Sequence, residues 1–260
     1  EYGGAFRDCR INARGQRKMK NNGSTPHGGK ELAFCVIAHI RSPFKTKFGI
    51  PRQSGYCDGV KSYVEFEPEF ANPDALRGIK DFSHLWLLWY FSEAENGGEW
   101  SPTVRPPKLG GNKRVGVFAT RSPFRPNPVG LSSVKLVGVE ENGGKLRLAV
   151  TGADLMDGTP ILDIKPYLAY TDSHPEASGG YSVNFDERKL EVRFAENADK
   201  FAVSDEIVNG IKEILEQDPR PAYHDDPDRV YGLVYSDTEV KFTVDDKSKK
   251  LTVLSMEKCK

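Results

Sequence analysis

The sequence predicts a mainly β protein: an N-terminal unit built as a closed antiparallel sheet or barrel, followed by a small α+β C-terminal domain. Apolar or alternating runs recur at residues 34–40, 63–66, 85–91, 114–119, 129–139 and 145–150, the pattern of short strands. The last two runs are separated by Glu140-Glu141-Asn142-Gly143-Gly144, a hairpin signal that forces antiparallel pairing. Only one short helix is evident in this stretch, with Asn72 as cap, Pro73 at the first helical position, Ala75 and Leu76 inside and Gly78 as the stop. Short strands joined by tight turns favour a closed sheet over a doubly wound α/β fold.

Residues 171–181 are rich in Ser, Gly and Pro and mark the boundary between the units. Beyond it, Ser204 can cap a helix that starts with Asp205 and Glu206 and buries Ile207, Val208, Ile211, Ile214 and Leu215, with Asp218-Pro219 ending it. Residues 229–235, 239–244 and 250–256 read as three strands, the last two joined by a charged turn. The expected organisation is a leader over 1–30, the β unit over 31–172 and the smaller unit over 181–260.

The chain has 260 residues with 38% hydrophobic and 10% aromatic content, enough for one full core and a smaller appendage. Its 37 basic and 37 acidic residues cancel, which excludes a surface that is wholly an electrostatic trap for nucleic acid; any polyanion site must be local. Cys9, Cys35, Cys57 and Cys259 show no paired spacing and no histidines at zinc-ligand distance, so neither a disulfide framework nor a metal is expected, and a reducing cytoplasm is the simplest location. No run approaches the roughly twenty apolar residues of a membrane span. Residues 1–30 are basic and lack an apolar signal core; they read as a disordered leader with a start near Met19, the alternative being a basic RNA-tethering arm.

The chemistry concentrates in three segments. Residues 104–130 carry Arg105, Lys108, Lys113, Arg114, Arg121 and Arg125 without a single acid, interleaved with prolines. Proline fixes φ and stiffens an extended segment, so the arginines are presented in defined positions, as phosphate or carboxylate recognition requires. The bland alternative is a proline-rich connection with solvated charges. Residues 41–53, RSPFKTKFGIPRQ, repeat the pattern with Arg41, Lys45, Lys47 and Arg52, in what should be a loop at one mouth of the sheet.

The third segment, GADLMDGTPILDIKPY over 152–167, interleaves Asp154, Asp157 and Asp163 with apolar side chains around a turn, and such a wall can accept hydrogen bonds from a ribose, an amine or an adenine amino group. Capping of turns is the competing role for these aspartates. The apolar run over 82–91 should form a wall of the core, its tryptophans packing, with His84 at its entrance either structural or a base. No GxGxxG turn, GxxxxGK[ST] loop, HExxH or GxSxG motif occurs, which weakens Rossmann, phosphate-loop, protease and α/β-hydrolase readings.

The stretches IRSPFKTKFGIPRQSGY, DFSHLWLLWYF, VRPPKLGGNKRVGVFATRSPFRPNPVGLS and GADLMDGTPILDIKPY, and QDPRPAYH over 217–224, together resemble the bacterial TsaA-like, or TrmO, tRNA methyltransferases. The resemblance implies a single-sheet β-barrel, S-adenosylmethionine as cofactor, a homodimer, and methyl transfer to the 6-amino nitrogen of threonylcarbamoyl-adenosine beside the anticodon of threonine-type tRNAs. By motif position it implies a cofactor site lined by Pro51, Arg52, Gln53, Ser92, Glu93, Arg121, Leu131, Asp154, Leu155, Met156, Asp157 and Gly158. Ser92-Glu93 departs from the His-containing pair of many members. The reaction needs alignment and a proton acceptor, for which Asp157 or His84 are the candidates, with Arg121 anchoring a carboxylate. Arg41, Lys45, Lys47, Arg105, Lys108, Lys113 and Arg125, with Arg220 and Tyr223, are the expected contacts to RNA. A non-enzymatic RNA-binding or regulatory module, or a methyltransferase with another acceptor, remains open on the residues themselves.

Overall fold

A computed structural model of the chain describes residues 33–94, 100–106, 113–182, 189–196, 198, 203–220 and 226–259. The leader, Lys108 and Tyr223 lie outside the described residues. The first unit contains β1 (Ala38–Arg41), β2 (Lys61–Phe66), β3 (His84–Tyr90), β4 (Thr103–Val104), β5 (Val115–Gly116), β6 (Val129–Asn142), β7 (Lys145–Thr151) and β8 (Pro160–Pro166), followed by the one-turn α1 (Ala169–Asp172). Six of these strands pair antiparallel in the cyclic order β1-β2-β7-β6-β3-β8. β8 returns to β1 through Ala38↔Ile161 and His39↔Pro160, so the sheet closes on itself; β4 and β5 form a separate ribbon.

Alternation places the core inside this ring. On β3, Leu85, Leu87 and Trp89 are buried while the residues between them are only partly so, and Ala38, Ile40, Val64, Val134, Leu148, Val150 and Ile161 complete the interior. Each such buried aliphatic side chain contributes roughly 1.5–3 kcal/mol. The outer face of β3 is covered in part by α1: the Trp86 indole N–H donates to Asp172 Oδ2 at 2.8 Å and its ring tilts against Tyr167. The Leu168 N–H and that indole hold the Asp172 carboxyl below the usual carboxylate range.

The second unit is a four-stranded sheet in the order β10-β11-β12-β9, comprising β9 (Glu191–Phe194), β10 (Tyr231–Tyr235), β11 (Thr238–Asp245) and β12 (Lys250–Lys258), with α2 (Asp205–Glu216). The α2 stripe runs as its periodicity predicts, with Ile211, Ile214 and Leu215 buried and Ile207 and Val208 packed beside them. Ser204 is the N-cap, but its side chain makes no capping hydrogen bond.

The structure departs from the sequence expectations in three respects. The expected helix after Asn72 is a pair of 3-10 turns, Pro73–Leu76 and Ile79–Asp81; Asn72 caps the first as predicted, and Gly78, expected as the stop, stands left-handed between the two. The expected strand over 114–119 stops at Gly116 and becomes a 3-10 turn. The strands β4, β8 and β9 were not expected: β4 has only two residues, β8 has a proline at each end and a single fully buried residue, and β9 is four residues long and pairs parallel with β12, so none shows a run with clear alternation. The β6–β7 hairpin is antiparallel as expected, with Gly143 and Gly144, both at positive φ, connecting Asn142 to its partner Lys145.

The two units share more than a boundary. Phe44, Cys57 and Val60, all from the loop between β1 and β2, are buried in the core of the second unit, not the first. Phe44 bridges to Tyr235 and stacks edge-on against its ring. A Cβ at Gly49, whose φ is +93°, would meet Leu233. Burial among Glu213, Asp58 and Glu216 pushes the Cys57 thiol up to about 12, leaving it protonated and inert.

Candidate functional site

β6 has fourteen residues and β7 seven, and their ladder begins only at Lys135↔Thr151. The first part of β6, from Val129 to Val134, therefore has β3 on one side and no strand on the other. Backbone groups there must find other partners, and two loops supply them. Ser54 Oγ accepts from the Ser133 N–H at 3.2 Å, and the Gly55 N–H donates to the Gly152 carbonyl at 2.9 Å. This split brings residues 53–55 and 152–154 against β6.

Gln53, Arg121 and Asp154 converge at the split. The Arg121 guanidinium donates to Gln53 Oε1. Asp154 Oδ1 accepts from the Ser132 hydroxyl at 2.6 Å, and the same hydroxyl accepts from the Trp89 indole N–H at 2.9 Å. Burial raises the Asp154 pKa, opposed by the Ser132 hydroxyl, the Ser54 N–H and the Arg121 charge. A carboxylate that is costly to ionise therefore lies close to a guanidinium, with the Trp89 and Phe91 rings, 4.2 Å apart at their centroids, behind it. Gly130 is what lets the indole lie flat over β6: a Cβ there would overlap the Trp89 ring.

The other expected cofactor residues divide. Ser92 and Glu93 are exposed in the turn after β3, and Lys47 donates to the Glu93 carbonyl at 2.7 Å, tying that turn to the 41–53 loop. Leu131 is 54% exposed on the face of β6 opposite Ser132. Pro51 is buried, and Arg52 turns away to donate to the carbonyls of Asp218 and Arg220 at 3.1 and 2.9 Å, so it is a strut to the second unit. Leu155 is buried in the core, its carbonyl accepting from Ser42. The Met156 carbonyl accepts from Thr159, and Gly158 forms the left-handed turn that bonds Ile40.

Both expected proton acceptors are engaged by other partners. Asp157 accepts from the Ser42 N–H at 3.0 Å and from Lys45 Nζ at 2.8 Å while its own N–H bonds the Phe44 carbonyl; it clamps the loop, the turn-capping role weighed against catalysis. His84 pairs with Lys135, three positions from the Leu87↔Ser132 pair, about 10 Å along the strand, and points to the opposite face, against Ser83 Oγ and Tyr167. Ser132, Ser54 and Trp89 also stand at the split and were not singled out as candidates in the sequence. The available signal was a hydroxyl in the inward register Gly130, Ser132, Val134 of an otherwise apolar strand.

Among the expected RNA contacts, Arg220 is overturned. It is 3% exposed and paired with both Asp218 and Asp246. Burial works against its charge, but the two carboxylates hold its pKa above the ordinary arginine value. Arg41 pairs with Glu65 and Lys45 with Asp157. In the 113–130 segment, Thr120 and Ser122 hydroxyls accept from the Ser122 and Phe124 N–H groups, and Arg125 donates to the Thr120 carbonyl at 3.1 Å. These turns, together with the prolines, fix the segment that carries Arg121. Arg105 and Lys113 are exposed.

A mainly β protein whose closed sheet splits between β6 and β7, with a guanidinium, an amide and a carboxylate meeting there beside cationic loops, has the donor set of the class that binds a small zwitterionic molecule next to a polyanion. The chain belongs to the tRNA-methyltransferase O family: the N-terminal domain of that family matches residues 39–173 and the TrmO C-terminal domain matches residues 187–259. The tRNA (adenine(37)-N6)-methyltransferase of Escherichia coli (strain K12) is 42% identical over 220 residues, covering 82% of this chain and 93% of that protein. The enzyme of the same name from Eikenella corrodens is 48% identical over 164 residues, 63% of this chain and 92% of the relative. The crystal structure of TrmO from Pseudomonas aeruginosa superposes with a TM-score of 0.72 at 32% identity, covering 89% of this chain and 99% of that one. Among the described residues no helix is long and apolar enough to cross a membrane.

Proposed function

We propose that this chain is an S-adenosylmethionine-dependent methyltransferase that modifies the 6-amino nitrogen of threonylcarbamoyl-adenosine in the anticodon loop of threonine-type tRNAs, acting in the cytoplasm as a homodimer of closed-barrel subunits. The observation that carries this reading is the meeting of Arg121, Gln53 and Asp154 at the β6 split, in a chain that matches both family domains. The donor set fits the cofactor. A guanidinium suits the carboxylate of a methionyl group, and a carboxylate suits its ammonium or a ribose hydroxyl.

Bound at the split, the sulfonium supplies a methyl carbon already activated toward a nitrogen nucleophile. The protein's part is then alignment and removal of a proton. Arg121, fixed by Gln53 on one side and by the proline-stiffened segment on the other, anchors a carboxylate. Asp154 replaces Asp157 and His84 as the group that would accept the proton of the adenosine nitrogen as that nitrogen takes the methyl group, the carbon–sulfur bond breaking to leave a neutral thioether. Its raised pKa suits that role better than an ordinary aspartate's would. The Trp89–Ser132 pair keeps its carboxylate oriented.

The test is mass spectrometry of nucleosides after incubating the protein with S-adenosylmethionine and tRNA bearing threonylcarbamoyl-adenosine. The expected product is that nucleoside with an added methyl group. Failure to methylate it, or equal methylation of tRNA lacking the threonylcarbamoyl group, overturns the assignment.

A further inference from the structure

We propose that Trp100 and Phe118 form a stacking platform for an unpaired nucleotide of the RNA substrate, next to the adenosine presented at the β6 split; this deepens the methyltransferase reading and rests on it. The two rings lie 6.3 Å apart at their centroids and are inclined by 32°. Trp100 is 42% and Phe118 72% exposed. They are held there by backbone structure: β4 pairs with β5 through Thr103↔Gly116 and Val104↔Val115, and the Val117 N–H donates to the Pro102 carbonyl at 2.9 Å. Val117, buried at 1%, pins the 3-10 turn inward, and the next residue in that turn is thereby pushed out into solvent.

The surroundings select the occupant. Between residues 100 and 130 the sequence has no acid, and among the described residues Arg105, Lys113 and Arg114 are exposed and, like Arg125, have no carboxylate within ion-pair distance, while Arg121 faces Asp154. Unneutralised cations beside exposed aromatic faces are what a single-stranded nucleic acid requires, since its phosphates need the charge and its bases have π faces to stack. A second copy of this chain fits worse, because a two-fold contact on this face would set the same cations against one another. The platform also has the right place. Phe118 precedes Arg121 by three residues, within about 10 Å of chain, and Thr120 is tied back to the Val117 carbonyl by both its N–H and its hydroxyl.

The experiment measures binding of a labelled anticodon stem-loop RNA by fluorescence anisotropy to the full chain and to Phe118→Leu, Phe118→Trp and Trp100→Leu, with S-adenosylmethionine affinity by calorimetry and oligomeric state by sedimentation alongside. Each leucine variant is expected to bind the RNA roughly tenfold more weakly, while Phe118→Trp binds like wild type. Cofactor affinity and oligomeric state should not move. Wild-type RNA affinity in Phe118→Leu overturns the platform while leaving the methyltransferase reading intact, and so does a loss of RNA affinity that follows a loss of self-association. A wild-type protein that binds no stem-loop RNA overturns both.

Discussion

The Ser132 hydroxyl donates to Asp154 Oδ1 across 2.6 Å, and its oxygen in turn accepts from the Trp89 indole N–H at 2.9 Å, so it links the carboxylate to the indole. Ser132→Ala therefore strands a buried N–H and removes a donor from a carboxylate that burial already penalises. The expected loss is about 1–3 kcal/mol in denaturant unfolding, accompanied by weaker cofactor binding. Ser132→Thr, which keeps the hydroxyl, should recover most of both.

Asp154 provides a pH test. Its folded-state pKa is raised, so the folded protein holds its proton more tightly than the unfolded chain does. That contribution to stability is complete below about pH 4, the unfolded value, and is lost as pH rises through the folded pKa. Asp154→Asn removes the dependence. Relative to wild type, the cofactor-free variant should gain melting temperature between pH 4 and pH 7 while losing methyl transfer. A melting difference that is flat across this range contradicts the assigned burial of the carboxylate.

Gly130→Ala tests the floor of the site. The added methyl overlaps the indole of Trp89, and overpacking of this kind costs about 1–3 kcal/mol. Tryptophan fluorescence should shift with the displaced ring, and cofactor affinity should fall more than stability alone explains.

The loop that delivers Gln53 is fastened to the second unit by Arg52, Phe44 and the close approach of Gly49 to Leu233. Gly49→Ala should therefore weaken cofactor binding several-fold, although Gly49 has no contact with Arg121 or Asp154. Calorimetric stoichiometry reports the folded fraction separately from affinity. A lowered stoichiometry with unchanged affinity would show that the second unit only stabilises the fold.

Arg220→Ala separates a structural from an RNA-binding role. Removing a buried guanidinium between Asp218 and Asp246 is expected to destabilise the protein by about 3–5 kcal/mol. At temperatures where the variant is folded, the salt dependence of RNA binding should match that of wild type, whereas loss of Arg105 or Lys113 should lower its slope by about one each.

Much of this architecture is legible along the chain because strand alternation and the α2 periodicity are local signals. The strand β3 announces itself through Leu85, Leu87 and Trp89, and α2 through Ile211, Ile214 and Leu215. β8 is not legible, since its place is set by the need to close a ring between β1 and β3 and not by its own pattern. The same limit applies to the site. Gln53, Arg121 and Asp154 are all named by motif position, but which aspartate meets Arg121 depends on the unequal lengths of β6 and β7. Asp154 and Asp157, three residues apart, are assigned opposite roles by that geometry. Arg220 looks like an exposed cation in sequence because Asp246, its second partner, is 26 residues away.

The most direct measurement of the central claim is calorimetric titration of S-adenosylmethionine into the full chain and into Arg121→Ala and Asp154→Ala. Binding by wild type with saturable heat, weakened at least tenfold in each variant while melting behaviour stays cooperative, is the predicted result. Undiminished affinity in both variants would contradict the placement of the cofactor at the split between β6 and β7.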